Sequence, residues 1–128
     1  MILGVGTDVL DPRRLEKAAG RREGRILRRL FTEGERKHCE GRRDKWPSYA
    51  ARFAAKEAFV KAIGLGIRRG LTWTQVEVLN DELGRPSLRL HGRAREIAGE
   101  MRIRALHLSL SHQAELAQAI VILEGEGP

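Results

Sequence analysis

Apolar and polar positions alternate from Ile2 to Leu10, with Leu3, Val5, Thr7 and Val9 on one side and Gly4, Gly6 and Asp8 on the other. Period-two alternation of this kind predicts a strand. Glycines at alternate positions leave one side bare, open to close approach by another backbone or a ligand, and Asp8 closes that row. Asp11-Pro12 then starts a helix, with Asp11 as N-cap, proline at the first helical position, and Leu10 and Leu15 placed to pack as a staple. Gly20 and Gly24 interrupt the next stretch, so the region to about Cys39 predicts two or three short helical pieces, and 41–47 reads as a basic loop. From Ser48 to Ile63 the chain is alanine-rich and apolar nearly all round, with Ser48 as cap and Gly64 as stop; such a helix is normally buried. Residues 74–79 and 86–90 alternate as strands around an Asp/Gly-rich turn, a predicted hairpin. Residues 92–101 come next as a helix, and 105–111 and 116–124 as two more strands. The order β-α-α-α-β-β-α-β-β predicts an α+β fold: one domain over 1–128, with a mostly antiparallel sheet packed on a long buried helix.

Composition narrows the class of protein. At 128 residues the chain suits one domain, and 41% hydrophobic content is enough for a core and too high for a disordered tail. Its apolar runs fall far short of the ~20 residues of a membrane span, and the N-terminus lacks the basic start of a signal peptide. One cysteine, Cys39, excludes an internal disulfide framework and a Cys-based zinc site, and it suits a reducing cytoplasm. Lys and Arg number 24 against 17 Asp and Glu, a net charge of +7, so the partner is expected to be acidic. The excess is concentrated between Pro12 and Arg29, as on a docking surface; a merely solvated arginine-rich face is the plainer alternative. Nucleic acid is the usual partner of such charge, but the 5% aromatic content is scattered and offers no stacking platform.

Few residues can carry chemistry. Glu57 and Lys61 stand four apart on the apolar helix, where a carboxylate is costly unless a cation compensates it. A simple helical ion pair is the alternative, although such pairs ordinarily lie on solvent faces. Gly64-Leu65-Gly66 comes one turn later; glycine backbone beside a lysine can cradle phosphate, yet a C-capping glycine explains half of the motif. Asp8 also fits a strand-end aspartate, and His112 also fits a structural histidine at a turn. Taken as a set, two separated carboxylates, a lysine, a glycine loop and a histidine can build a site for a divalent metal bridging a pyrophosphate. Magnesium prefers such hard oxygen ligands, with substrate phosphates and water completing its shell.

Three segments carry a resemblance: GVGTDVLDPRRLE near the start, ARFAAKEAFVKAIGLGI in the middle and LHLSLSHQAELAQAIVILE near the end. Their order and spacing resemble those of the holo-[acyl-carrier-protein] synthases, short bacterial-type 4′-phosphopantetheinyl transferases. The intervening LTWTQVEVLNDELGRPSLRLHGRA fits the same pattern, so the likeness covers essentially the whole chain. It implies an enzyme that transfers the 4′-phosphopantetheine group of coenzyme A to a serine of apo acyl carrier protein, releasing 3′,5′-ADP in a magnesium-dependent reaction that supports fatty acid biosynthesis. It also implies a homotrimer with active sites between subunits. By position, Asp8 and Glu57 match the magnesium carboxylates and Lys61 the lysine at the transferred phosphate. Gly64 and Gly66 match a loop along the cofactor, and His112 a histidine beside the coenzyme A phosphates. Arg14 matches an arginine that meets the carrier's acidic helix, and Arg21, Arg25 and Phe53 fall where carrier contacts cluster. Gln113 departs from the usual threonine or serine after that histidine. The proton acceptor is either a metal-held carboxylate such as Glu57 or a water it polarises. Two other classes compete: a basic nucleic-acid-binding module, and a non-catalytic carrier-protein binder. The Glu57–Lys61 pair argues against the first, and the joint presence of Asp8, Glu57 and Lys61 against the second.

Overall fold

The computed structural model describes residues 1–64, 66–67 and 70–127. Strand β1 (Ile2–Leu10) leads into three short helices, α1 (Pro12–Ala19), α2 (Glu23–Leu30) and α3 (Glu33–Glu40), with a 3-10 turn at Gly20–Arg22 between the first two. The long helix α4 (Lys45–Ile63) comes next. A 3-10 turn at Trp73–Gln75 then opens the hairpin β2 (Val76–Asn80) and β3 (Pro86–Leu90), and α5 (Gly92–Glu100), β4 (Ile103–His112) and β5 (Ala117–Gly125) complete the chain. The fold is α+β and every strand pairing is antiparallel. The strands divide between a three-stranded sheet of order β1-β5-β4 and the separate hairpin β2-β3.

Helix α4 lies against the inner face of the larger sheet, and the glycine row of β1 makes that possible. A Cβ at Gly4 would overlap the carbonyl oxygen of Ala62, and one at Gly6 that of Ala58. The bare side of the strand therefore receives a helix backbone, and the alanines of α4 supply the matching small face. Asp8 continues the same side of β1, opposite Ala119 of β5, which is itself buried. Two core clusters result. One joins α4 to both sheets and α5 through Phe59, Ile63, Val76, Ile97 and Val121; the other joins α1, α2, α3 and the start of α4 through Leu15, Leu27, Phe31 and Tyr49.

The start of α4 differs from expectation. The helix begins at Lys45, capped by the Asp44 side chain on the Trp46 N–H, so the loop is only 41–44 and Pro47 lies in the first turn. Proline lacks only an N–H that the first turn leaves free, so it does not stop the helix there. Ser48, expected as the cap, is buried; it stands 3.2 Å from the Cys39 thiol and accepts from Arg52. Residues 73–75, read partly as strand, form a 3-10 turn in which Thr72 and Gln75 make a capping box. The Asp11 cap holds as expected, accepting from the Arg13 N–H. Leu10 and Leu15 meet in the second cluster.

Candidate active site

Phe53, Glu57 and Lys61, at intervals of four, form one stripe of α4, turned toward β1 and α1. Lys61 Nζ donates to Asp8 Oδ1 at 2.8 Å and to the Thr7 carbonyl at 3.1 Å. The pairing runs between helix and strand, so the alternative of a simple helical ion pair with Glu57 gives way to one with Asp8. Asp8, Glu57, Arg14 and Phe53 line a single cleft of about 340 Å³, floored by Leu10 and Leu15. Four of the residues singled out in the sequence thus converge, with Lys61 bridged to them through Asp8.

The electrostatics of the cleft arise from this packing. Burial raises the Glu57 carboxyl above its ordinary range, the Asp8 charge raises it further, and Lys61 pulls it back. The hydrogen bond to Asp8 raises the Lys61 ammonium, which is exposed enough to turn to another partner. Neither group is buried as the apolar look of the helix suggested: Lys61 is exposed and Glu57 half-buried. The buried charges of α4 are Lys56 and Arg52, whose apolar neighbours in sequence gave no warning of them.

Lys61 pairs directly with Asp8 and not with Glu57, so the second carboxylate leaves room for a further cation. Among the described residues no group of three or more His, Cys, Asp or Glu could by itself cage a metal. Two carboxylates with open positions suit magnesium, which keeps water and substrate oxygens in its shell, and do not suit a closed zinc site.

His112 is not in this cleft. It ends β4 opposite Ala117, on the far edge of the sheet from Asp8, with β5 between the two edge strands. Two strand spacings, about 10 Å, separate those edges. His112 instead lines two adjoining clefts of about 360 and 180 Å³ on the other side of α4, with Arg42 and Ser48 in both. Arg43 and Gln113 border the larger; His38, Arg52, Asn80 and Pro86 border the smaller. Arg52 is buried, donates to Ser48 and Asn80, and keeps its Nε without a partner among the described residues. Burial pushes the His38 imidazole down, and the charges of Arg52 and Arg42 push it further. The charged lining is net positive in both clefts, Arg42 and Arg52 in the smaller and Arg42 and Arg43 against Asp44 in the larger. Sequence reasoning missed Arg52 and Asn80. Arg52 lies in an alanine run, and its only signal was its spacing of four from Ser48.

Gly64 caps α4 in the left-handed conformation, φ +79°, its N–H returning to the Val60 and Lys61 carbonyls. Gly66 also has positive φ, while Leu65 between them lies outside the described residues. Arg14, Arg21 and Arg25 are exposed, and among the described residues no ion pair neutralises them, whereas Arg13 is held by Asp11.

Residues 4–119 match the 4′-phosphopantetheinyl transferase superfamily, and the chain belongs to that family. The holo-[acyl-carrier-protein] synthase of Geobacter metallireducens is 48% identical over 124 residues, covering 97% of this chain and 98% of its own. The synthase of Methylorubrum populi is also 48% identical, over 128 residues, covering 97% of this chain and 94% of its own. Among solved structures, the Neisseria meningitidis synthase superposes with a TM-score of 0.89 at 30% identity, covering 97% of this chain and 99% of its own. The Bacillus anthracis synthase in complex with coenzyme A (3′,5′-ADP) gives 0.80 at 35%, covering 98% and 99%.

Proposed function

We infer that this chain transfers the 4′-phosphopantetheine group of coenzyme A to a serine of apo acyl carrier protein, releasing 3′,5′-ADP. The observation that carries this reading is the convergence of Asp8, Glu57 and Lys61 at one cleft in a member of this family. The Helicobacter pylori synthase in complex with coenzyme A, 30% identical with a TM-score of 0.83, supports the co-substrate.

Asp8 and Glu57 are the residues that would hold magnesium, which when bound neutralises charge on the diphosphate. Lys61 leaves Asp8 for the phosphate to be transferred, where its ammonium is worth most as charge develops. The serine oxygen forms a bond to the β-phosphorus, the phosphorus–oxygen bond to 3′,5′-ADP breaks, and the leaving oxygen keeps the electron pair. Glu57, or a water that it polarises, takes the serine proton. Burial of the Arg52 guanidinium with Nε free favours the positive clefts around His112 and Arg42 as the seat of the nucleotide's phosphate. Gly64 and Gly66 let the backbone pass close to the cofactor. Arg14, Arg21 and Arg25 face an acidic helix of the carrier, with Phe53 as an apolar contact at the cleft mouth. Residues 1–128 act as one transferase domain.

The assembly is a homotrimer whose sites lie between subunits. Its support is an uncovered apolar sheet face: Val5 and Val9 are 53% and 61% exposed, and Ile120 lies among them. The separation of His112 from Asp8 by α4 points the same way. Among the described residues no helix is long and apolar enough to cross a membrane, and buried free Cys39 suits a reducing cytoplasm, where the enzyme would serve fatty acid synthesis. The scattered aromatic residues favour a protein partner over nucleic acid for its basic surface.

The test is direct. Apo carrier protein incubated with coenzyme A, magnesium and the enzyme gains the mass of one phosphopantetheine group, and EDTA prevents the gain. Glu57→Gln is expected to lower kcat by about 10²–10³-fold. A wild-type enzyme that leaves the carrier mass unchanged in the presence of magnesium overturns the reading.

A further inference from the structure

Directly before Glu57 stands Lys56, fully buried and paired with Glu35 of α3, which is 1% exposed. Lys56 Nζ uses all three of its protons: it donates to Glu35 Oε1 at 2.7 Å, to the Trp73 carbonyl at 3.0 Å and to the Val76 carbonyl at 2.7 Å. Glu35 is equally engaged. Its Oε1 also accepts from the Thr32 N–H, as half of the capping box that starts α3, and its Oε2 accepts from the Val78 N–H at 2.9 Å. One ammonium thus ties α4 to α3, to the turn before β2, and to β2 itself. The Phe31 ring, 5.4 Å from Nζ, closes the site on another side.

A buried ion pair of this kind is a poor way to gain stability, since apolar residues of similar volume often do as well or better. What it supplies is direction. Successive residues on a helix differ by about 100° in azimuth, so pinning Lys56 at three points fixes where Glu57 and, a turn later, Lys61 project. The same tie fixes the Trp73 backbone. The Trp73 ring packs edge-on against Phe53 with centroids 4.9 Å apart, and Phe53 lines the cleft that holds Asp8 and Glu57. Both the carboxylate and one wall of its cleft are therefore referred to one buried nitrogen.

We propose that the Lys56–Glu35 pair is a positioning device for the reaction: it sets the azimuth of Glu57 and the Phe53–Trp73 wall so that Glu57 meets the metal and the phosphate together with Asp8. The inference rests on the magnesium role proposed for Asp8 and Glu57. If wild-type enzyme transfers at full rate in EDTA, that role is wrong. Positioning is instead tested by comparing variants in an enzyme whose magnesium dependence is established.

Two variants separate positioning from simple support. The double variant Glu35→Gln, Lys56→Met removes both charges at nearly constant volume, which the fold is expected to tolerate. The single variant Glu35→Gln keeps an acceptor for Val78 and leaves Lys56 its two carbonyls but no counter-charge, so it is the less stable of the two and is assayed well below its melting temperature. Thermal melts establish folding. Each folded variant is then assayed for kcat, KM and the magnesium concentration at half-maximal rate, and coenzyme A binding is measured by calorimetry without carrier protein. The expected result is a kcat about tenfold lower in the double variant and several-fold lower in the single one, with the half-maximal magnesium concentration raised several-fold in both. Coenzyme A affinity without magnesium stays within about twofold of wild type. A folded variant with wild-type kcat and wild-type magnesium response overturns the proposal, as does one that loses coenzyme A affinity without magnesium while its magnesium response is unmoved.

Discussion

At the scale of single residues, the Glu57 carboxyl is held above its ordinary range by burial first and by the Asp8 charge second, with Lys61 acting in the opposite sense. These causes can be separated. Asp8→Asn removes the like charge and is expected to lower the Glu57 pKa, and Lys61→Met is expected to raise it; carboxyl-carbon NMR of the metal-free protein reads both. An Asp8→Asn variant whose Glu57 titrates above wild type refutes this account of the cleft. The raised pKa also has a sign for stability. The folded carboxyl binds its proton more tightly than the unfolded chain does, so Glu57 favours folding at low pH. That contribution is lost as pH rises from the ordinary carboxylate value through the raised folded one. Glu57→Gln carries no such loss, so in the absence of metal its melting temperature near neutral pH is expected to equal or exceed that of wild type while transfer falls. Melts across pH 4 to 8 check it, and a Glu57→Gln midpoint several degrees below wild type at pH 7 would contradict it.

At the scale of elements, the contact between β1 and α4 leaves no space for a single methyl group. Gly6→Ala sets a Cβ against the Ala58 carbonyl, with Ala62 N only 2.8 Å away, and neither neighbour is a side chain that can turn aside. The expected destabilisation is about 3 kcal/mol, the upper part of the range for overpacking, read as a lower urea midpoint. A midpoint equal to wild type would show that strand and helix part more easily than this packing allows. The sequence announced this element well: alternate glycines marked a close approach, and the alanine run marked the buried helix that makes it. Asp11-Pro12 and Gly64 likewise fixed a helix start and stop through local chemistry. The start of α4 was harder to read because Pro47 looks like a boundary and Ser48 like a cap, whereas Asp44 caps a helix that carries proline in its first turn. Burial of Lys56 and Arg52 was illegible for a different reason. Their partners, Glu35 and Asn80, are 21 and 28 residues away, and only the tertiary fold brings them into range.

At the scale of the whole molecule, the proposed trimer would account for one chain keeping its two sets of candidate residues apart. Asp8, Glu57 and Lys61 lie on the β1 side of α4, while His112, Arg42 and Arg52 lie on the β4 side. If neighbouring subunits complete each site, Asp8→Ala and His112→Ala are each nearly inactive alone, yet mixing them under conditions that exchange subunits restores activity. With random assembly of equal amounts, about one quarter of the interfaces receive an intact Asp8 from one subunit and an intact His112 from the next, so about a quarter of wild-type activity returns. The same activity staying at background after exchange would place both residues of a working site in one chain. Assembly itself is tested on the outer sheet face. Val5 and Ile120 flank Thr7 there, and a charge at Val5 would have to be desolvated at an interface. Val5→Glu is accordingly expected to elute as a monomer, with a circular dichroism spectrum close to wild type, and to be inactive because its site is left half-built. A monomeric Val5→Glu that transfers at the wild-type rate would sever the link between assembly and catalysis, and a trimeric one would move the interface to another face.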